Sequence, residues 1–195
     1  MRKVAILGST SGFGFESIIK YFKKKSHKVE FTCISDVENS EILNKAKSFW
    51  VNCHYLSVEE TEKFLNENHF DLVVLTDYTN VLPVEIFKHR VFINIHQSLL
   101  PKYKGSNAVK QAFDNHEKLT GVTVYAVVNN IEEGPVIAQQ AVSISENITV
   151  EELETKIRKI ECGLYPKVIE DILFSKKSGC SSGCSCGSRN KCHCE

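Results

Sequence analysis

Apolar residues gather in short runs at 4–7, 31–34, 72–75 and 91–95, and the segments between them at 14–24, 40–49 and 58–66 repeat apolar positions at helical spacing. Short buried strands alternating with helices predict an α/β domain with a mostly parallel sheet, whose crossover helices cover it. Two further apolar segments, 120–128 and 136–142, flank the polar stretch Asn129-Asn130-Ile131-Glu132-Glu133-Gly134-Pro135 and predict two more strands joined by a loop that closes the site. Thr149 with Glu152 three residues on reads as a capping box, and Leu153, Ile157 and Ile160 continue a last helix that ends near Phe174. In sheets of this kind ligands collect at the carboxyl ends of the strands, so the residues just after each apolar run carry the chemistry.

With 195 residues the chain suits one domain, read here as 1–174, followed by a flexible extension at 175–195. Twenty-four basic residues balance twenty-four acidic ones, which argues against nucleic acid or an anionic membrane as partner and for small-molecule chemistry. No leader or membrane-spanning stretch precedes or interrupts the pattern, so a cytoplasmic protein with reduced thiols is expected, either a monomer or a homodimer. Of eight cysteines, five fall in the last sixteen residues. Cys180, Cys184, Cys186, Cys192 and Cys194 with His193 suit tetrahedral zinc or form a thiol-rich tail with no part in the domain's chemistry. Cys33, Cys53 and Cys162 read as ordinary buried thiols.

Two segments next to apolar runs stand out. The first is Gly8-Ser-Thr-Ser-Gly12-Phe13-Gly14, which follows the first strand and opens the first helix. It offers backbone N–H groups and a helix dipole to a phosphate, or it is a tight turn whose glycines serve geometry alone. The second, Ile93-Asn94-Ile95-His96, delivers an amide and an imidazole at alternate positions and therefore onto one face. An amide able to donate to a developing oxyanion, beside an imidazole able to move a proton, is suited to acyl transfer.

Asn94-Ile95-His96 leading into Ser98-Leu99-Leu100-Pro101 resembles the signature of the folate-dependent formyltransferases, and the likeness continues through Gly121–Tyr125, Gly134-Pro135 and Glu161…Tyr165-Pro166. The resemblance implies a Rossmann-like, twisted α/β sheet with helices on both faces, the formyltransferase fold, and transfer of the formyl group of 10-formyltetrahydrofolate to an amine without a catalytic metal. Its ending is most similar to the branch acting on phosphoribosylglycinamide in purine synthesis. By resemblance, Asn94 holds the formyl oxygen, His96 stabilises the oxyanion and shuttles the proton, and Glu132 keeps the histidine charged. Gly12, Phe13, Gly14 and Glu161 would bind the phosphoribosyl substrate, and Thr79, Asn80, Val81, Leu82 and Asn94 the folate.

The chain departs from the family pattern at several of these positions. Gln97 stands where proline is usual, Glu132 where aspartate is, Phe13-Gly14 where a serine and an asparagine are, and Asn80 where an arginine is common. These departures leave open a different amine acceptor, such as an amino-sugar nucleotide. The glycine spacing also resembles the cofactor loop of NAD(P)-dependent short-chain reductases, but the Tyr-x-x-x-Lys pair that such a reductase needs occurs only as Tyr21 and Lys25, inside the first helix.

Overall fold

The computed structural model describes residues 1–83, 90–128 and 132–175. The cysteine-rich extension with its candidate zinc ligands, and residues 129–131 of the polar loop, lie outside the described residues. The strands are β1 (Arg2–Leu7), β2 (Val29–Ser35), β3 (Asn52–Tyr55), β4 (Leu72–Leu75), β5 (Phe92–His96), β6 (Leu119–Ala126) and β7 (Val136–Ser143). The helices are α1 (Phe13–Lys23), α2 (Glu41–Ser48), α3 (Val58–Glu67), α4 (Ala108–Asp114) and α5 (Val150–Phe174).

All seven strands form one sheet in the order β3-β2-β1-β4-β5-β6-β7. Pairing is parallel from β3 through β5 and antiparallel from β5 to β6 and from β6 to β7. The chain thus reverses its direction of growth between β1 and β4, which opens a crevice at their carboxyl ends, the usual ligand position of a doubly wound sheet.

Side-chain alternation divides the core. Val4, Ile6, Leu72 and Val74 face α1, α2 and α5, with Phe15, Ile18, Ile42 and Ile169 among their partners. Ala5, Leu7, Val73 and Leu75 face the other way, onto Leu65 of α3 and Phe70. A third cluster, Val109, Val122, Leu153 and Ile157, joins α4 and α5 to β6. The expected capping box is present: the Thr149 hydroxyl accepts from the Glu152 N–H at 3.2 Å, and the Glu152 carboxylate accepts from the Thr149 N–H at 2.9 Å.

Two elements lie outside the periodic reading. β3 is a half-exposed strand with no apolar run, and α4 starts from Asn107 in the left-handed region (φ 59°) with no side-chain cap. Of the cysteines read as buried thiols, Cys33 is buried, whereas Cys53 and Cys162 are only partly so. Among the described residues no helix is long and apolar enough to cross a membrane.

Candidate active site

β5 ends in the alternation Asn94-Ile95-His96, which sets Asn94 opposite Tyr125 and His96 opposite Thr123 of β6. Asn94 Nδ2 donates to the Tyr125 hydroxyl at 2.9 Å. Tyr125 has no exposed surface. Burial pushes its hydroxyl above the usual range, with the Asn94 bond opposing and the Glu132 carboxylate adding to the effect. The amide of Asn94 keeps a second N–H, because Tyr125 takes one of the two that the group carries.

His96 is buried, with 8% of its surface exposed. Its Nδ1 lies 3.0 Å from Glu132 Oε1, and its Nε2 lies 2.8 Å from the Tyr103 carbonyl. Both neighbours are acceptors, so satisfying both requires an N–H on each nitrogen, which the ring has only when doubly protonated. The other Glu132 oxygen, Oε2, accepts from the Gly105 N–H at 2.7 Å. The Glu132 side chain is 10% exposed, so it is not part of a solvated acidic loop; Glu133, by contrast, is half-exposed and pairs with Lys104.

Local backbone demands bring these groups together. Glu132 has φ of 62°, a left-handed conformation that carries a cost for a non-glycine residue and is held here by its two partners. Gly134 lies so close to β6 that a Cβ there would sit 1.6 Å from the Ala126 carbonyl oxygen, so only glycine lets the loop close over the strand. On the opposite side, the turn after β5 is fastened by Thr123, which donates to the Ser98 carbonyl at 2.6 Å and accepts from the Leu100 N–H at 3.1 Å. Lys102 and the Tyr103 hydroxyl both donate to Glu117, which turns the Tyr103 carbonyl back onto His96.

The glycine loop is held by its geometry. Gly12 has φ of 64°, and a Cβ on it would fall 2.9 Å from Ile42; a Cβ on Gly14 would fall 2.2 Å from Thr76 Oγ1. Geometry alone therefore demands both glycines. Gly12 also offers no side-chain cap to α1, which leaves the first N–H groups of that helix without a capping side chain. Phe13 is half-exposed there, with Lys45 Nζ 4.3 Å and the Arg158 guanidinium 5.2 Å from its ring centre.

Phe13, Thr79, Gln97, Arg158 and Glu161 line one cleft, and His96 lines an adjoining hollow that shares Gln97, Gly105 and Arg158 with it. Glu161 is buried, with 6% of its surface exposed, and not a solvated helix position. Burial pushes its carboxyl up to about 7, against a hydrogen bond from Gln97; Asp77 adds to the rise and Arg158 opposes it.

The 79–82 segment divides. The Thr79 N–H donates to Ser9 Oγ at 2.9 Å and the residue lines the cleft, while Asn80 Nδ2 donates to Asp36 at the end of β2. Val81 is exposed and Leu82 is buried in the core beside Phe92.

Sequence reasoning missed Tyr125, Arg158 and the backbone groups of Tyr103 and Gly105. Arg158 had a readable signal, since it sits three residues before Glu161 and shares its helix face. The Tyr21 and Lys25 pair meets Glu170 instead of the cleft, at the far end of α1 from the glycine loop.

A doubly wound sheet that presents a half-buried amide and a buried imidazole at one strand end, with a carboxylate on the imidazole, defines an α/β enzyme built to stabilise charge on a transferred group. The chain matches the formyl transferase family over residues 2–169 and belongs to it. Phosphoribosylglycinamide formyltransferase of Bacillus subtilis strain 168 is 30% identical over 193 residues, covering 92% of this chain and 98% of that one. The crystal structure of phosphoribosylglycinamide formyltransferase from Bacillus halodurans is 35% identical with a TM-score of 0.80, covering 89% of this chain and 96% of that one. The enzyme of the same description from Anaplasma phagocytophilum gives a TM-score of 0.81 at 32% identity over 87% of this chain and 85% of that one.

Proposed function

We propose that the chain transfers the formyl group of 10-formyltetrahydrofolate to the primary amine of phosphoribosylglycinamide in purine synthesis. The observation that carries this reading is the linked cluster Asn94–Tyr125 and His96–Glu132 at the carboxyl end of β5. Membership of the formyl transferase family and likeness to phosphoribosylglycinamide formyltransferases along nearly the whole chain support it.

The folate supplies the formyl carbon, and negative charge gathers on the formyl oxygen as an amine adds to it. The unused N–H of Asn94 and the Nε2–H of His96 are the donors for that oxygen, and Glu132 holds the imidazole by Nδ1 so that its other nitrogen keeps a proton to give. His96 delivers that proton only after Tyr103 yields the bond it now accepts. Collapse of the tetrahedral adduct breaks the bond between the formyl carbon and N10 of the folate; N10 leaves with the proton that His96 gives up, and the imidazole, now free at Nε2, takes the proton of the added amine, so that formylated amine and tetrahydrofolate are released.

On the acceptor side, the N-terminal N–H groups of α1 around Gly12, Phe13 and Gly14, with Arg158 beside Phe13, suit a phosphate in place of the polar side chains usual in the family. Glu161 suits ribose hydroxyls. On the donor side, Thr79 lines the cleft with a polar edge, and exposed Val81, two residues on, offers apolar surface to a flat heteroaromatic ring. Asn80 is committed to Asp36, which leaves the folate contact with Thr79, Val81 and the backbone near Leu82. The domain proposed to do this is 1–174.

The test is a steady-state assay with both substrates, following folate absorbance, with His96→Ala as control. Turnover that falls by at least two orders of magnitude in the variant is expected for a residue acting as acid, base and oxyanion donor. Absence of turnover with this amine, but His96-dependent loss of the formyl group from the folate, would keep formyl transfer and discard the acceptor. If wild-type protein neither bound nor altered the folate, the proposal would fail.

A further inference from the structure

Gln97 is the first residue after β5, at a position where the family pattern usually has proline. Its Nε2 donates to Glu161 Oε2 at 2.9 Å, across the cleft from α5. Among the described residues this is the only hydrogen-bond partner of the Glu161 side chain. The remaining oxygen, Oε1, faces the start of α1, where a Cβ on Gly14 would lie 3.7 Å from it. Proline could make no such bond, having neither side-chain donor nor N–H.

We propose that Gln97 is a positioning residue that sets acceptor specificity: its amide grips Glu161 by Oε2 and leaves Oε1 as the acceptor for the hydroxyls of a ribose-bearing substrate. This rests on the reading of the acceptor given above. A free glutamate side chain loses rotamer freedom on binding, and an amide that already fixes it removes that cost from the binding step. The amide carbonyl of Gln97, also in the cleft, adds an acceptor that a proline side chain cannot provide.

The grip has an electrostatic consequence that separates positioning from mere packing. The groups facing Glu161 are Asp77 after β4, Arg158, Cys162 and Tyr165 of α5, and Gln97 itself. Asp77 disfavours the carboxylate, Arg158 and Gln97 favour it, and burial opposes it most strongly. Removing the Gln97 donor therefore moves the ionisation of Glu161 to higher pH, so that the weakened acceptor binding recovers in part as the solution is made alkaline.

The experiment uses full-length protein carrying Gln97→Leu. A hydrogen bond to a charged group is worth roughly tenfold or more. The acceptor KM is therefore expected to rise about tenfold at pH 7 and by less at pH 9, with kcat within about twofold of wild type. A KM change that is the same at both pH values, or a fall in kcat at unchanged KM, overturns the proposal. Gln97→Pro removes the same donor and serves if the leucine variant does not fold.

A second readout needs no substrate. In protein labelled with 13C at glutamate carboxyls, the resonance missing from Glu161→Gln identifies Glu161. Its titration midpoint is expected to move upward in Gln97→Leu, and an unmoved midpoint overturns the positioning role. If wild-type protein failed to formylate phosphoribosylglycinamide while this midpoint still moved, the acceptor reading would fail and the Gln97–Glu161 pairing would stand.

Discussion

Replacing Glu161 by glutamine should make the protein more stable while harming acceptor binding. The carboxyl is buried, and burial raises it from an ordinary value of 4.5 to about 7. A folded-state value above the unfolded one means that the stabilising contribution of the protonated form is fully present below 4.5 and is lost as pH rises through 7. Across that window the loss amounts to about 3 kcal/mol, an order-of-magnitude figure taken from about 1.4 kcal/mol per tenfold change in proton affinity. Glutamine has the same shape, no charge to desolvate, and an amide oxygen that still accepts from Gln97.

Urea unfolding of both proteins at pH 5 and pH 8 measures the effect, with equal slopes required for the comparison. The variant is expected to exceed wild type by about 3 kcal/mol at pH 8 and by about 1 kcal/mol at pH 5. A difference that is flat between the two pH values, or wild type the more stable at pH 8, would refute the reasoning. A destabilising carboxylate kept at the cleft is the usual exchange of stability for function.

Three other outcomes follow from the geometry. Glu132→Gln should lower kcat/KM by about a hundredfold to ten-thousandfold, and Glu132→Asp, one methylene short of His96 in this loop, by about tenfold to a hundredfold; an aspartate variant as active as wild type would contradict the fit. Gly14→Ala drives a Cβ to 2.2 Å from Thr76 Oγ1 and should cost about 1–3 kcal/mol in urea unfolding, a loss that Thr76→Ala in the same chain partly restores. Thr149→Ala breaks the α5 capping box for about 1 kcal/mol, seen as a Tm lower by about 2–4 °C with kcat unchanged.

The parts of the fold that were legible share one property, an apolar run long enough to show its period. The runs at 72–75 and 91–95 became β4 and β5, and the helical segment at 58–66 became α3. β3 was not legible because Asn-Cys-His-Tyr at the sheet edge buries too little to need apolar residues, and α4 because Asn107 starts it by backbone conformation instead of a capping side chain. The same division runs through the site. Asn94 and His96 stood out because two polar residues at alternate positions end an apolar strand. The carbonyl of Tyr103 and the N–H of Gly105 carry no residue-type signal at all, since any residue supplies them. Tyr125 read as one more apolar position of β6, and only the cross-strand register shows that its hydroxyl meets Asn94.

The cluster's hydrogen bonds also bear on how it would act in the proposed reaction. Asn94, His96, Glu132 and Glu161 all have partners before any substrate arrives. Left bare, the two buried ones, His96 and Glu161, would each cost about 1–3 kcal/mol, so the network is what lets the fold tolerate them. The two bonds of His96 are not equal. Nδ1 meets a carboxylate that is itself held by Gly105, whereas Nε2 meets the neutral carbonyl of Tyr103, in a turn with φ of 53°. A neutral formyl oxygen gains little by displacing that carbonyl, because it is an acceptor of the same kind. An oxygen carrying negative charge forms a stronger bond to the same N–H. The exchange at Nε2 therefore becomes favourable only as charge develops, so the bond from His96 to that oxygen is made in the transition state and not in the ground state, which is the condition for faster chemistry.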